Sequence, residues 1–288
     1  MQSPAPTTAD SPNKTTAPEP PASRSPEMSS ELKMEERFET LDCPTHGPQR
    51  VRLFRLFADW APARCPVCEA EQEQARSDEE AARQIRDTAE HRDRLIRKHL
   101  QHAAVPPRFE GKSFAAFTAT DSSSAKALAT CRSYADRFLD HLRTGTSLIL
   151  CGNAGTGKTH LACAVADQVI RNHSKAAVYM TAGRAFRKVK DTYRKNSQVS
   201  EQDALSAFAA PDLLILDEIG VQYGSDAERN ILFEIVNERY EQMKPTVLIS
   251  NLALPALTEF AGERVIDRLK ENGGKLIVFD WKSHRGAA

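Results

Sequence analysis

The chain has 288 residues, 39 basic and 39 acidic side chains, and a formal net charge of zero. That balance excludes a global electrostatic pull toward nucleic acid or membrane and leaves only local patches to consider. At roughly 150 residues per domain about two units are expected, and 40% apolar with 7% aromatic content is lean enough to predict an unpacked segment.

That segment is the N-terminus. Residues 1–30 carry seven of the 16 prolines among Ser, Thr and Ala. Such a composition cannot bury enough apolar surface to offset the entropy of ordering, so residues 1–38 are predicted to be a disordered tail. The opening Met-Gln-Ser-Pro lacks the apolar stretch of a secretory signal, and no apolar run anywhere is long enough to span a bilayer.

Residues 39–70 form a compact Cys/His module. Cys43-Pro44-Thr45-His46 and Cys65-Pro66-Val67-Cys68 make a CxxH…CxxC pair with 18 residues between them. Each knuckle offers two ligands on a tight turn. The N/S set of Cys43, His46, Cys65 and Cys68 favours Zn²⁺ in a closed, structural site whose metal supplies much of the folding free energy. Cys131, Cys151 and Cys163 are scattered and expected in the core. The pattern is not a disulfide framework and points to a reducing, cytoplasmic protein. Between the knuckles, Arg50, Arg52 and Arg55 alternate with Phe54, Phe57 and Trp60. Two readings stand: a ribbon hairpin with solvated arginines, or a nucleic-acid contact.

Residues 69–104 are dense in Glu, Arg, Gln and Ala without Pro or Gly, which predicts one long helix. Ala75, Ala82, Ala89, Ile96 and Ala103 recur every seven residues as a narrow apolar stripe. The helix reads either as a solvated connector over residues 71–104 or as a docking helix. Val105-Pro106-Pro107-Arg108-Phe109 ends it, because proline cannot continue a helix. From 105 to 288 strand-like runs alternate with amphipathic helices: Ser147–Cys151, Ala176–Met180, Leu213–Leu216, Thr246–Ser250 and Lys275–Phe279. The inner runs are continuously apolar, as strands buried on both faces are. The fold class expected is α/β, a three-layer α/β/α parallel sheet.

Gly152-Asn153-Ala154-Gly155-Thr156-Gly157-Lys158-Thr159 is a complete P-loop between the first strand and a helix over His160–Arg171. Its glycines let backbone N–H groups turn toward phosphates, and the helix N-terminus adds its positive end. Lys158 would face the β- and γ-phosphates of ATP, and Thr159 would ligate Mg²⁺. Residues 184–195 follow the second strand and place Arg184, Arg187, Lys188, Lys190, Arg194 and Lys195 on one predicted helix. Phe186, Val189 and Tyr193 fall on its other face. It is either a single-stranded DNA site, with charge for the backbone and Tyr193 to stack, or an ordinary helix with a solvated basic face. Leu213–Leu216 delivers Asp217 and Glu218 at the carboxyl end of a strand, where open α/β sheets bind ligands. Asp217 would hold Mg²⁺ through water, and Glu218 has the chemistry to polarise an attacking water. That pair favours a hydrolase over a small-molecule kinase, which needs a bound acceptor. Asn251, at the tip of the next strand, either orients water or starts a turn.

Pro211 to Leu252, then Gly262-Glu263-Arg264-Val265-Ile266-Asp267-Arg268, then Phe279-Asp280-Trp281-Lys282-Ser283-His284-Arg285, resemble DnaC-type helicase loaders, which are AAA+ ATPases. IstB-type transposition helpers share this core. The resemblance covers about 105–288. It implies that Asn251 is the sensor 1 residue, Arg268 the finger reaching a neighbouring subunit's γ-phosphate, and Arg285 the sensor 2 arginine. It also implies an AAA+ domain without a C-terminal lid. Arg264 lies one turn before Arg268, and the bland alternative is that this helix only makes i,i+4 surface pairs. The region after the second strand faces the central channel in such assemblies. The expectation is a loader that self-associates through its ATP sites, holds a DnaB-type hexameric replicative helicase and contacts single-stranded DNA, with no membrane partner. The alternatives are a helper ATPase acting with a transposase and a zinc adaptor that binds ATP without hydrolysing it.

Overall fold

The structure is a computed structural model that describes residues 35–56, 59–221 and 224–283. The expected tail therefore lies outside the described residues as far as residue 34. Its last four positions, 35–38, belong instead to the first strand. The chain divides into two compact units after Glu80.

In the first unit, β1 (Glu35–Cys43) and β2 (Gly47–Leu56) form an antiparallel hairpin in register from Glu35↔Arg55 to Cys43↔Gly47, and β3 (Asp59–Trp60) adds to β2. The knuckle Cys43–Gly47 is the hairpin turn, and Gly47 supplies its left-handed residue at φ +67°. Alternation puts Val51 and Leu53 inside and Arg50 and Arg52 outside. The arginines are matched within the hairpin: Arg52 pairs with Glu36 and Arg55 with Glu35, while Arg50 lies 4.6 Å over the Phe38 ring. Helix α1 (Pro66–His102) starts directly on the second knuckle, with proline in its first turn where no N–H is needed.

The stripe expected along α1 changes character within the helix. Ala75, Ala82 and Ala89 are exposed, whereas Ile96 and Leu100 pack on the core of the second unit and Ala103 is buried. Arg92 donates to the Arg171 carbonyl at 3.2 Å. The second unit thus begins inside α1, ahead of the boundary expected at 105.

After α1 come α2 (Ser122–Asp136), α3 (Phe138–Thr144), β4 (Leu148–Gly152), α4 (Lys158–His173) and β5 (Ala177–Thr181). Then follow α5 (Ala182–Lys190), α6 (Glu201–Ala209), β6 (Leu213–Ile219), α7 (Asp226–Glu241), β7 (Thr246–Ser250), α8 (Leu254–Ala261), α9 (Glu263–Lys270) and β8 (Lys275–Phe279). The sheet runs β5-β6-β7-β4-β8 with every pair parallel. Successive strand residues serve opposite faces. Leu148, Leu150, Leu213 and Ile215 join α2 and α4 in one core, while Ile149, Cys151, Leu214 and Leu216 join α5 to α9 in the other. Cys131, Cys151 and Cys163 are buried as expected. Among the described residues no helix is long and apolar enough to cross a membrane.

The basic helix is shorter than expected. It ends at Lys190, and a 3₁₀ turn over Asp191–Tyr193 follows. The Thr192 hydroxyl donates to the Val189 carbonyl at 2.7 Å, a side-chain bond that competes with the helical ladder. Arg194 and Lys195 therefore lie off the helix, and Arg194 pairs with Asp191 at 2.9 Å.

Candidate nucleotide site and metal-ligand cluster

The P-loop joins β4 to α4. Its close approaches explain the glycines: Gly152 has φ +121° and a Cβ there would sit 2.4 Å from the Phe279 carbonyl oxygen, and a Cβ on Gly157 would sit 2.6 Å from Phe117. The loop is braced from β8. Asn153 N–H donates to the Phe279 carbonyl at 2.7 Å, its Nδ2 donates to the Asp280 carbonyl at 3.0 Å, and Trp281 Nε1 donates to the Thr156 carbonyl at 3.2 Å. Asn153 and Thr156 thus shape the loop, and Ala154 and Gly155 line the cleft. Helix α4 has no side-chain cap at its N-terminus. The positive end of such a helix favours an anion. Lys158 Nζ donates to the Gly152 and Asn153 carbonyls at 2.8 and 2.6 Å.

The acidic pair arrives on β6. The strand shifts register between Leu216 and Ile219, and Glu218 sits at φ +62°. A bulge of this kind re-aims side chains, and left-handed strain at a non-glycine residue clusters at functional sites. Asp217 is buried. Its Oδ2 accepts from Thr159 Oγ1 at 2.8 Å and from the Tyr179 hydroxyl at 2.8 Å, and its Oδ1 accepts from the Glu218 N–H at 2.6 Å. Burial, with the Asp217 charge alongside, pushes the Tyr179 phenol far up, so it stays a donor. Glu218 and Asn251 are exposed and line the same cleft of about 430 Å³ as Lys158, Thr159 and Asp217. Hard oxygen donors at Thr159 and Asp217 beside an uncapped helix N-terminus fit a Mg²⁺-bound triphosphate.

Sequence reasoning missed Arg108, Phe109, Lys112 and Tyr179, which also line this cleft. The double proline before Arg108 announced a helix end but not where the chain would lie. Arg268 is not among the lining residues. Its guanidinium lies 4.5 Å from the Phe233 ring and 5.4 Å from Tyr240. Arg264 is exposed on the same helix. No ion pair joins Glu263, Arg264, Asp267 or Arg268 among the described residues, so the surface-pair alternative for this helix lacks support. Arg285 lies outside the described residues.

The four metal-ligand candidates converge. Cys43 Sγ, His46 Nδ1, Cys65 Sγ and Cys68 Sγ lie within 4.8 Å of one another. Individual separations are 3.5 Å for Cys43–Cys68 and 3.3 to 3.7 Å for His46 Nδ1 to the three sulfurs. A tetrahedral zinc with its usual bond lengths requires edges of about 3.5–3.8 Å. His46 Nε2 meets Glu71 Oε1 at 3.1 Å, the outer contact that orients a ligating imidazole. The Thr45 and His46 N–H groups bring the Cys43 thiol down to about 6.

On α5, Arg184, Arg187 and Lys188 are exposed, whereas Phe186 and Val189 are buried in the core. Tyr193 does not share their face. It is 56% exposed on the 3₁₀ turn and its hydroxyl donates to Glu201 at 2.7 Å. Lys190 is engaged with Glu228 at 2.9 Å.

This sheet order, with a P-loop after β4 and an acidic pair at the end of β6, defines a P-loop ATPase of the AAA+ class. Residues 68–269 match the family described as IstB-like ATP binding protein, and the chain belongs to that family. The replicative helicase loader DnaC of Escherichia coli K12 is 31% identical over 196 residues, 68% of this chain and 78% of that protein. DnaC of Buchnera aphidicola subsp. Schizaphis graminum is 30% identical over 190 residues, 66% of this chain and 76% of that protein. Among solved structures, a DnaC helicase loader crystal structure superposes with a TM-score of 0.55 at 22% identity, covering 61% of this chain and all (100%) of that one. AMPPCP-bound DnaA from Aquifex aeolicus gives 0.50 at 19% identity over 62% of this chain and 52% of its own. Both structures share the fold.

Proposed function

We propose that this chain is an ATP-dependent loader of a hexameric replicative helicase. The observation that carries the reading is the convergence of Lys158, Thr159, Asp217, Glu218 and Asn251 on one cleft in a chain related to DnaC loaders. The P-loop amides and Lys158 hold the β- and γ-phosphates. Thr159 and Asp217 hold Mg²⁺, which neutralises charge on the phosphates. Glu218 takes the proton of the attacking water, and Asn251 orients that water. Arg268 completes the site of a neighbouring subunit, which makes turnover depend on self-association. Arg285 contacts the nucleotide as sensor 2. Cys43, His46, Cys65 and Cys68 hold one structural Zn²⁺. ATP binding orders the assembly, and hydrolysis releases the loader.

Single-stranded DNA contacts Arg184, Arg187 and Lys188, with Arg194 and Tyr193 contributing from the adjoining turn. Replacing Arg184, Arg187 and Lys188 with Ala flattens the salt dependence of binding by about one log–log unit for each phosphate that is no longer neutralised. An unchanged slope removes this site, and Arg50 of the hairpin is then the next candidate. The second reading, a transposition helper, draws on the IstB-like family match. A pull-down with a DnaB-type hexamer and a transposase separates the two. Capture of the transposase alone overturns the loader.

A further inference from the structure

One residue of the cleft has no part in the scheme above and yet makes two directed contacts, one of them to Asp217. Tyr179 lies on β5, an edge strand, and is 4% exposed. Its backbone N–H donates to the Ala103 carbonyl at 2.8 Å, just past the end of α1, where Ala104 turns at φ +52°. Its hydroxyl donates to Asp217 Oδ2 at 2.8 Å, the oxygen that also accepts from Thr159 Oγ1 at 2.8 Å. Asp217 stands on β6 in register with Thr181. The phenol thus reaches the carboxylate from the neighbouring strand.

From this geometry we infer that Tyr179 is a positioning residue for the Mg²⁺ site: its hydroxyl fixes the rotamer of Asp217 so that the carboxylate and Thr159 meet the ion together. The inference deepens the nucleotide-site reading and rests on its assignment of Asp217 and Thr159 to the metal. The physical reason is that a buried carboxylate has two oxygens to orient. Oδ1 is tied to the adjacent Glu218 N–H at 2.6 Å, which leaves Oδ2 to be set by its own partners. Thr159 Oγ1 donates to that oxygen and can keep doing so while a lone pair ligates the ion, and Tyr179 adds a second donor that does not itself touch the metal. Tyr179 is held at both ends, by its main chain and by the core around its ring, so its hydroxyl is a fixed donor. Outer partners of this kind typically change metal affinity by about 10- to 100-fold.

The test is Tyr179→Phe, which keeps the ring and deletes one hydroxyl. Binding of a fluorescent non-hydrolysable ATP analogue is measured at equilibrium against Mg²⁺ concentration, and again in EDTA, on full-length protein. The half-saturating Mg²⁺ concentration should rise about tenfold, with metal-free nucleotide affinity and melting temperature unchanged. An unchanged Mg²⁺ requirement overturns the inference. So does an equal loss with and without Mg²⁺, or a melting temperature well below wild type, because either assigns the hydroxyl to folding. Asp217→Asn in the same titration separates this inference from its foundation. If Asp217→Asn leaves the Mg²⁺ requirement untouched, the metal assignment itself fails. If it abolishes the requirement and Tyr179→Phe does not shift it, only the role of Tyr179 fails. In the double variant Tyr179→Phe should add nothing to Asp217→Asn, since it acts through that carboxylate. A further loss there also overturns the inference.

Discussion

Arg239 is 0% exposed in the core beneath the nucleotide-site strands, and among the described residues no carboxylate forms an ion pair with it. Its guanidinium instead gathers oxygens at the start of two strands. Nε donates to Thr246 Oγ1 at 3.0 Å, Nη1 to the Phe208 and Pro211 carbonyls at 2.7 and 3.0 Å, and Nη2 to the Asp212 and Pro245 carbonyls at 3.4 and 2.5 Å. Burial brings the guanidinium down to about 9, so it is protonated at neutral pH. These contacts hold the entry of β6, which delivers Asp217 and Glu218, beside the entry of β7, which leads to Asn251. In Arg239→Met the stem stays and the donors go. The Pro245 carbonyl keeps the Leu214 N–H at 3.3 Å, and the Asp212 bond is long, so the penalty falls on Phe208 and Pro211. Two buried carbonyls without partners cost about 1–3 kcal/mol each. Relief from burying a charge subtracts from that total, so the expected net destabilisation is about 3 kcal/mol. In a unit of this size that is about 6–12 °C in melting temperature. Scanning calorimetry of the ATPase unit's transition measures it, with Arg239→Lys falling between because a lysine lacks the planar fork. A shift below about 2 °C for Arg239→Met would falsify this account of the clamp.

Three further outcomes are expected. Lys158→Ala loses nucleotide binding, whereas Glu218→Gln keeps it and loses about 10²–10⁴-fold in turnover; unchanged steady-state hydrolysis in Glu218→Gln sinks its role as base. Arg268→Ala binds ATP with near wild-type affinity and hydrolyses it poorly, and mixing it with Glu218→Gln protein restores activity at composite sites. No rescue at any mixing ratio speaks against action in trans. Elemental analysis of protein purified without chelator finds one zinc per chain, and Cys65→Ser loses it while ATP affinity stays the same; protein free of zinc refutes the metal site.

The amino-acid pattern by itself determined the class of fold and the core of the ATP site. Continuous apolar runs of five or so residues alternating with amphipathic helices admit few arrangements other than a covered parallel sheet. A P-loop carries its own geometry, because glycines, lysine and threonine act within eight consecutive residues. The Cys/His spacing was legible for the same reason: each knuckle is local, and the hairpin in between needed only to bring the two together.

Tertiary structure decided what depends on partners far apart in the chain. The end of α5 at Lys190 hinges on Thr192, whose side chain competes with the helical ladder at a position where the basic pattern suggested continuation. The hairpin arginines alternate with aromatics in a way that suits nucleic acid, but Arg52 and Arg55 are matched to Glu36 and Glu35, which only the strand register places opposite them. The placement of Arg108 and Lys112 on the cleft and the bond from Tyr179 to Asp217 had no sequence signal either. A tyrosine in a buried strand reads as core, and periodicity reports which face a side chain occupies but not which atom its far end will meet. That is settled when neighbouring strands pair, which here brings Thr181 beside Asp217 and leaves the phenol two residues back to reach across.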